Sequence, residues 1–189
     1  VDALQAYRKQ GLPTNLADIR ADEKKLQRWT AFKTQTIDQF ALELADEVRY
    51  YQPFLMTARN LYAQVALSAY AENWYAQSLE RSLEQYDFTA IMAMPYMEQV
   101  ENHQQFFKDL VSRVEKYPNG LKKTVFEIQA LDWRNRQKVS SEEMAETFKS
   151  LYAQGALHVG YYPDNPIEHH PDPETLKAVF DTQSSDLVP

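Results

Sequence analysis

Apolar positions along this chain fall into two alternating periods. From about residue 23 to 51, Leu26, Trp29, Phe32, Ile37, Phe40, Leu44, Val48 and Tyr51 recur close to every 3.6 residues. That spacing predicts a long amphipathic helix with the stripe turned inward. Asp22 is placed to cap its start and Pro53 to end it. Ahead of it, residues 3–20 are mixed and broken by Gly11-Leu12-Pro13, which predicts only short helical turns.

Four β-like runs follow, each trailed by a helical pattern. The first covers residues 54–61, and a helix over 71–86 carries Tyr75, Leu79 and Leu83 on one face. The second run, 88–94, stops at Pro95. A helix over 102–117 turns Phe106, Phe107, Leu110, Val111 and Val114 inward and stops at Asn119-Gly120. The third run is 123–132. Ser140, with Glu143 three residues on, opens a helix with Met144, Phe148 and Leu151 inward, closed by Gly155. The fourth run is 156–162, and Asp172-Pro173 opens a last helix with Leu176, Val179 and Phe180 inward. The βα unit recurs about every 35 residues, as βαβ units do. The fold class is α/β, with a parallel sheet and helices packed outside it.

Composition narrows the classes. At 189 residues the chain is long enough for one domain with its own core. Hydrophobic residues at 44% and charged residues at 25% are globular proportions. A net charge of −7 argues against nucleic acid as a partner. No apolar run of about 18 residues is present to span a membrane as a helix. Without cysteine there is no disulfide, thiol chemistry or Cys-type zinc site, and the compartment stays open. Tyrosine, at 12 residues, leads the aromatics and suits a wet binding groove as well as a core. The start at Val1, with no charged-then-apolar leader, reads as a mature or excised piece. Residues 184–189 read as the beginning of a cleavable tag linker, so the domain is taken as residues 1–183.

The candidate chemistry lies where each run ends. Arg59, Asn60 and Tyr62 follow the first, and Pro95, Tyr96 and Glu98 the second. Asp132, Trp133 and Arg134 follow the third, and Tyr161, Tyr162, Pro163 and Asp164 the fourth. Parallel α/β folds build their sites at that edge of the sheet, and (β/α)8 barrels do so from the loops there. Rings stack on sugar C–H faces, and carboxylates bind hydroxyls or amines. Paired carboxylates also carry out glycoside hydrolysis, with Glu98, Asp132 and Asp164 as candidates. Each acid has the plainer reading of a helix cap or solvated charge, and Trp133 and Tyr162 that of core residues. Glu127 and Gln129 interrupt an otherwise apolar strand. They fit either a polar barrel interior below a site or a salt-bridged pair at a sheet edge.

Other signals are weaker. Met92, Met94 and Met97 read as packing. Glu168-His169-His170 with Asp172 reads as a solvated loop rather than a metal site, because the spacing matches no standard zinc motif. His103 and His158 are isolated and read as structural. Neither a dinucleotide fingerprint, a phosphate-binding loop nor a nucleophile elbow occurs.

The four strand ends also carry a resemblance. TARNLYA (57–63), YDFTAIMAMPYME (86–98), KTVFEIQALDW (123–133) and HVGYYPDN (158–165) stand in order. Together they resemble the C-terminal, glycoside hydrolase-like domain of the bacterial poly-β-1,6-N-acetyl-D-glucosamine N-deacetylase (PgaB/HmsF) family. The resemblance runs from about residue 3 to 176. It implies a (β/α) barrel that binds the partly deacetylated polymer and in some members cleaves it. It also implies a parent protein in the periplasm: an outer-membrane-associated lipoprotein of biofilm exopolysaccharide export, working with an export porin. On the motif match Glu98 falls on the acidic residue facing the groove. Tyr96, Asp132, Trp133, Tyr162 and Asp164 fall on groove-lining positions, and Asn60 and Tyr62 stand at the corresponding end of the first strand.

Two departures bear on activity. The family's metal-dependent deacetylase domain and the first half of its barrel, with an "FHDDA"-type strand end carrying the leading catalytic Asp, have no counterpart here. No cofactor is therefore expected for this chain. A full barrel needs about 250 residues, so the expected architecture is a C-terminal half-barrel of about four βα units. Its open edges would be closed by a second copy or by a complementing half-barrel.

Overall fold

The computed structural model describes residues 2–186. Three helices come first: α1 (Asp2–Lys9), α2 (Leu16–Ala21) and α3 (Glu23–Tyr51). The Asp22 side chain caps α3 by accepting from the Lys24 and Lys25 N–H groups. Then follow β1 (Ala58–Tyr62), α4 (Ala63–Leu67), a single 3-10 turn, α5 (Glu72–Tyr75), α6 (Leu79–Gln85) and β2 (Phe88–Met92). Next are α7 (His103–Val114), α8 (Gly120–Lys123), β3 (Thr124–Gln129), β4 (Leu131–Asp132) and β5 (Gln137–Lys138). The chain continues through α9 (Ser141–Ala153), β6 (His158–Tyr162) and α10 (Pro173–Asp186). The helix α10 thus continues into the segment read as a linker, of which residues 187–189 lie outside the described residues.

The sheet is the expected one. Its four strands run in the order β1-β2-β3-β6, every neighbour parallel. Sequential order with helical returns is the arrangement of half a (β/α)8 barrel. Residues alternate between two environments. Leu61, Ile91, Phe126 and Ile128 are buried against Phe106, Leu110, Met144 and Phe148 of α7 and α9. The opposite face is open. There the register sets Asn60, Ala90, Val125 and His158 in one row and Tyr62, Met92, Glu127 and Gly160 in the next, each exposed or half-buried.

Several boundaries move. Residues 53–54 form a turn, so β1 starts at Ala58, and Phe54 is 95% exposed. The helix expected over 71–86 is broken, because Ala76 sits in the left-handed region (φ 50°) between α5 and α6. The third run ends at Gln129. After Ala130, Leu131 and Asp132 pair antiparallel with Lys138 and Gln137 instead. Gly120 is required by a close approach: a Cβ there would lie 2.1 Å from the Val114 carbonyl oxygen.

The largest correction concerns α3. Its first turns behave as expected, with Trp29 and Phe32 packed on Tyr7 of α1 at ring-centroid distances of 4.7 and 5.1 Å. Further along, the inward face is polar. Thr30, Thr34 and Asp38 are buried, whereas Ile37, Phe40, Leu44, Val48 and Tyr51 are exposed, Phe40 by 62%. Polar contacts decide this orientation. Thr30 donates to the Asn73 side chain at 2.5 Å, and Asp38 accepts from Arg81 Nε at 2.8 Å.

Candidate functional site

The C-terminal ends of the four strands are tied together by side-chain amides. Gln64 of α4 donates to the Glu98 carboxylate at 3.0 Å, linking the ends of β1 and β2. Gln129, the last residue of β3, accepts from the Met97 N–H at 3.0 Å and donates to the Leu131 carbonyl at 2.7 Å. It therefore fixes the turn that carries Glu98. Gln77 stands where a neighbouring strand would stand beside β1, accepting from the Tyr62 N–H and donating to the Asn60 carbonyl, both at 3.1 Å. Of these amides only Gln129 carries a sequence signal, as a polar residue in an otherwise apolar strand. The spacing of Glu98 and Asp132 after their strands was the only clue to their neighbourhood.

Trp133 and Tyr162 stand on neighbouring strand ends and stack, with ring centroids 6.2 Å apart and planes at 30°. They are 40% and 55% exposed, so they form a surface platform rather than core. Tyr62 lies on Tyr75 at 4.5 Å, which adds a second aromatic pair at the β1 end. Asn60 is exposed on the open sheet face.

The acids differ in what they can do. Asp132 is buried, and both its oxygens accept from Arg134: the main-chain N–H at 3.0 Å, Nε at 2.9 Å and Nη2 at 2.8 Å. Hydrogen bonding from Arg134 holds its pKa below the usual carboxylate range. An acid so held is a turn anchor and a poor proton donor; the group it presents outward is the Arg134 guanidinium, 5.9 Å from the centre of the Tyr96 ring. Tyr96 itself turns toward the helices. Its hydroxyl donates to Glu143 of α9 at 2.6 Å, and its ring meets His103 edge-on at 4.5 Å. Burial, followed by the hydrogen bond to Glu143, pushes the Tyr96 hydroxyl up to about 12. Asp164 is exposed and accepts from Tyr161, whose pKa is raised first by burial and then by that carboxylate.

Glu98 is half-buried, and among the described residues its carboxylate's one hydrogen bond is with Gln64. Glu127 points to the open face from β3. That strand is flanked by β2 and β6, which removes the sheet-edge reading. Among the described residues the Glu127 side chain makes no hydrogen bond or ion pair, and burial pushes its carboxyl up. Gly160, its register partner on β6, presents no side chain beside it.

The histidine-rich stretch is occupied locally. Glu168 pairs with Lys138 at 2.7 Å, His170 bonds the Ala130 carbonyl at 2.9 Å, and Asp172 caps α10 through the Thr175 N–H at 2.8 Å. Among the described residues no group of three His, Asp or Glu side chains is placed to hold a metal ion. His158 bonds the Lys122 carbonyl at 3.1 Å, at the far end of its strand. No helix of the described residues is long and apolar enough to cross a membrane.

Comparison with known proteins agrees with this arrangement. Residues 1–162 match the model of GHL13, hypothetical glycosyl hydrolase family 13. The chain is 33% identical over 186 residues to the poly-β-1,6-N-acetyl-D-glucosamine N-deacetylase of Escherichia coli K12, and equally to that of strain O157:H7. That match takes in 95% of this chain and 28% of the relative, so the chain spans just over a quarter of the curated proteins it matches. Among solved structures it superposes on the PgaB (BpsB) glycoside hydrolase domain of Bordetella bronchiseptica with a TM-score of 0.87 and 42% identity. That superposition takes in 94% of this chain and 50% of the other. The chain therefore belongs to hypothetical glycosyl hydrolase family 13, and it corresponds to half of the glycoside hydrolase-like domain found in the PgaB N-deacetylases.

Proposed function

We propose that this chain forms the sugar-binding half of a barrel that holds partly deacetylated poly-β-1,6-N-acetyl-D-glucosamine. The observation that carries the reading is the exposed Trp133–Tyr162 platform on adjacent strand ends. Rings of this kind accept the C–H faces of pyranoses, and Glu98, Glu127 and Asp164 suit the ammonium groups that deacetylation exposes. Asn60 and Tyr62 extend the surface along β1. In the closed barrel Glu98 serves as acid/base or positioning carboxylate, held by Gln64.

Cleavage needs a second carboxylate on the scissile bond. Asp132 is committed to Arg134 and Asp164 accepts from Tyr161, so this half supplies Glu98 and takes its partner acid from the other half. The same commitment favours a second reading, a non-catalytic module that guides polymer to an outer-membrane export porin during biofilm formation in the periplasm. Glu98→Gln in a domain with both halves separates the two. Loss of oligomer cleavage with binding retained supports hydrolysis. Absence of cleavage before the substitution supports the binding module.

The open sheet face, the β6 edge, the part of the β1 edge that Gln77 does not cover and the exposed α3 stripe fit a second set of four βα units, either a complementing half or another copy of this chain. Size-exclusion chromatography with light scattering tests this. Concentration-dependent dimers are expected for the chain alone, and a monomer at every concentration would rule out self-association.

A further inference from the structure

Beyond the strand ends, the structure has a second aromatic cleft that no reading above uses. It lies between α2, α3 and α5, encloses about 460 Å³, and is lined by Leu16, Ile19, Leu26, Trp29, Tyr70 and Trp74 together with Arg20, Lys33 and Asn73. That volume is within the range of small-molecule sites. Trp74 and Tyr70 are 64% and 63% exposed. Two cations face the rings: the Arg20 guanidinium stands 5.8 Å from the Trp74 ring centre, and the Lys33 ammonium 5.6 Å from that of Trp29.

The walls are fixed. Lys33 donates to the Asn73 carbonyl at 2.8 Å, Thr30 holds the Asn73 side chain, and Asn73 Nδ2 donates to the Tyr70 carbonyl at 2.9 Å. Trp29 is braced by Tyr7 and Phe32. The cleft adjoins the strand ends, because Trp74 and Tyr75 are successive residues of α5 and Tyr75 stacks on Tyr62 at the β1 end.

We propose that this cleft is a separate sugar subsite, and that it takes an N-acetylated hexosamine unit rather than one with a free amine. The proposal rests on the polymer-binding reading above and adds a division of labour to it. Among the described residues no carboxylate lines the cleft, and both of its charged groups are cations. An ammonium-bearing sugar would be repelled there. An acetamido sugar offers a carbonyl to accept from Arg20 or Lys33, a methyl for Leu16, Ile19 and Leu26, and a ring face for Trp74. The strand ends carry carboxylates instead, Glu98, Glu127 and Asp164, alongside the Arg134 guanidinium. A chain of mixed acetylated and free-amine units would thus be read in two places by opposite chemistry.

The three tryptophans make the test direct. Their indole N–H resonances are assigned in the 189-residue chain by Trp→Phe substitution at 29, 74 and 133. The chain is then titrated with a β-1,6-linked N-acetylglucosamine tetramer and, separately, with a β-1,6-linked glucosamine tetramer. The acetylated tetramer is expected to shift Trp29 and Trp74 saturably, and Trp74→Ala to weaken that binding about tenfold. The glucosamine tetramer is expected to shift Trp133 and leave the pair in place. Unmoved Trp29 and Trp74 resonances with the acetylated tetramer would overturn the proposal, and so would an equal response to both. If the pair responds while Trp133 responds to neither sugar, the strand-end reading fails and the cleft stands.

Discussion

Asp38 on α3 offers the sharpest check on how the long helix docks. Its side chain is 3% exposed and accepts from Arg81 Nε at 2.8 Å, with Arg81 30% exposed. Tyr86 lies close by; its pKa is raised by burial and then by this carboxylate. Asp38→Ala would take away the one carboxylate that, among the described residues, is ion-paired with the Arg81 guanidinium. Breaking a buried pair on one side costs about 3–5 kcal/mol. A domain of this kind holds only about 5–15 kcal/mol in total. With a urea m-value of about 2 kcal/mol/M, the midpoint should fall by about 2 M. The companion variant is Phe40→Ser, two residues away on the exposed side, where a surface substitution costs within about 0.5 kcal/mol. If the apolar stripe faced the core, the sizes would reverse, since loss of a buried Phe costs about 3–5 kcal/mol. Urea unfolding followed by circular dichroism at dilute concentration reads both. A costly Phe40→Ser with a neutral Asp38→Ala would refute the docking described here.

Other outcomes follow from the same geometry. Gly120→Ala places a methyl on the Val114 carbonyl and should cost about 1–3 kcal/mol by denaturant unfolding, because backbone must move. Tyr96 should remain protonated to about pH 12. Its folded value is raised, so its contribution is intact below the unfolded value of about 10 and is lost as pH climbs toward 12. Absorbance at 295 nm should show one late phenol fewer in Tyr96→Phe. Asp87 is held low by the Thr57 N–H and hydroxyl, with Arg49 adding to them. Its contribution is therefore present above the unfolded carboxylate value of about 3.9 and fades as pH falls below it. Asp87→Asn should flatten the loss of stability between pH 7 and 3, as read by unfolding midpoints.

The parallel sheet was legible because β2 and β3 are short, largely apolar runs and the later strands are followed by patterned helices, with caps such as Ser140 and Asp172 at the junctions. The face on which α3 docks was not. A 3.6-residue period reveals a stripe, but what turned it outward is Asp38 meeting Arg81, 43 residues away. The break at Ala76 has no Gly or Pro to announce it. Within the site, Trp133 and Tyr162 could be found from their places after strands. The commitment of Asp132 to Arg134 and of Tyr96 to Glu143 could not, since neither pairing has a spacing rule. Gln129 stood out as a polar residue in an apolar strand, though not the Met97 and Leu131 groups it binds; Gln64 and Gln77 join separate loops and leave no pattern along the chain.

Calorimetry with a partly deacetylated β-1,6-glucosamine oligomer, on the wild-type chain and Trp133→Ala in parallel, tests the central claim most directly. The account predicts binding by the wild type and its loss in the variant, with the circular dichroism of both unchanged. Binding that survives in Trp133→Ala, or a folded wild type that binds nothing, would contradict a sugar-binding platform at the strand ends.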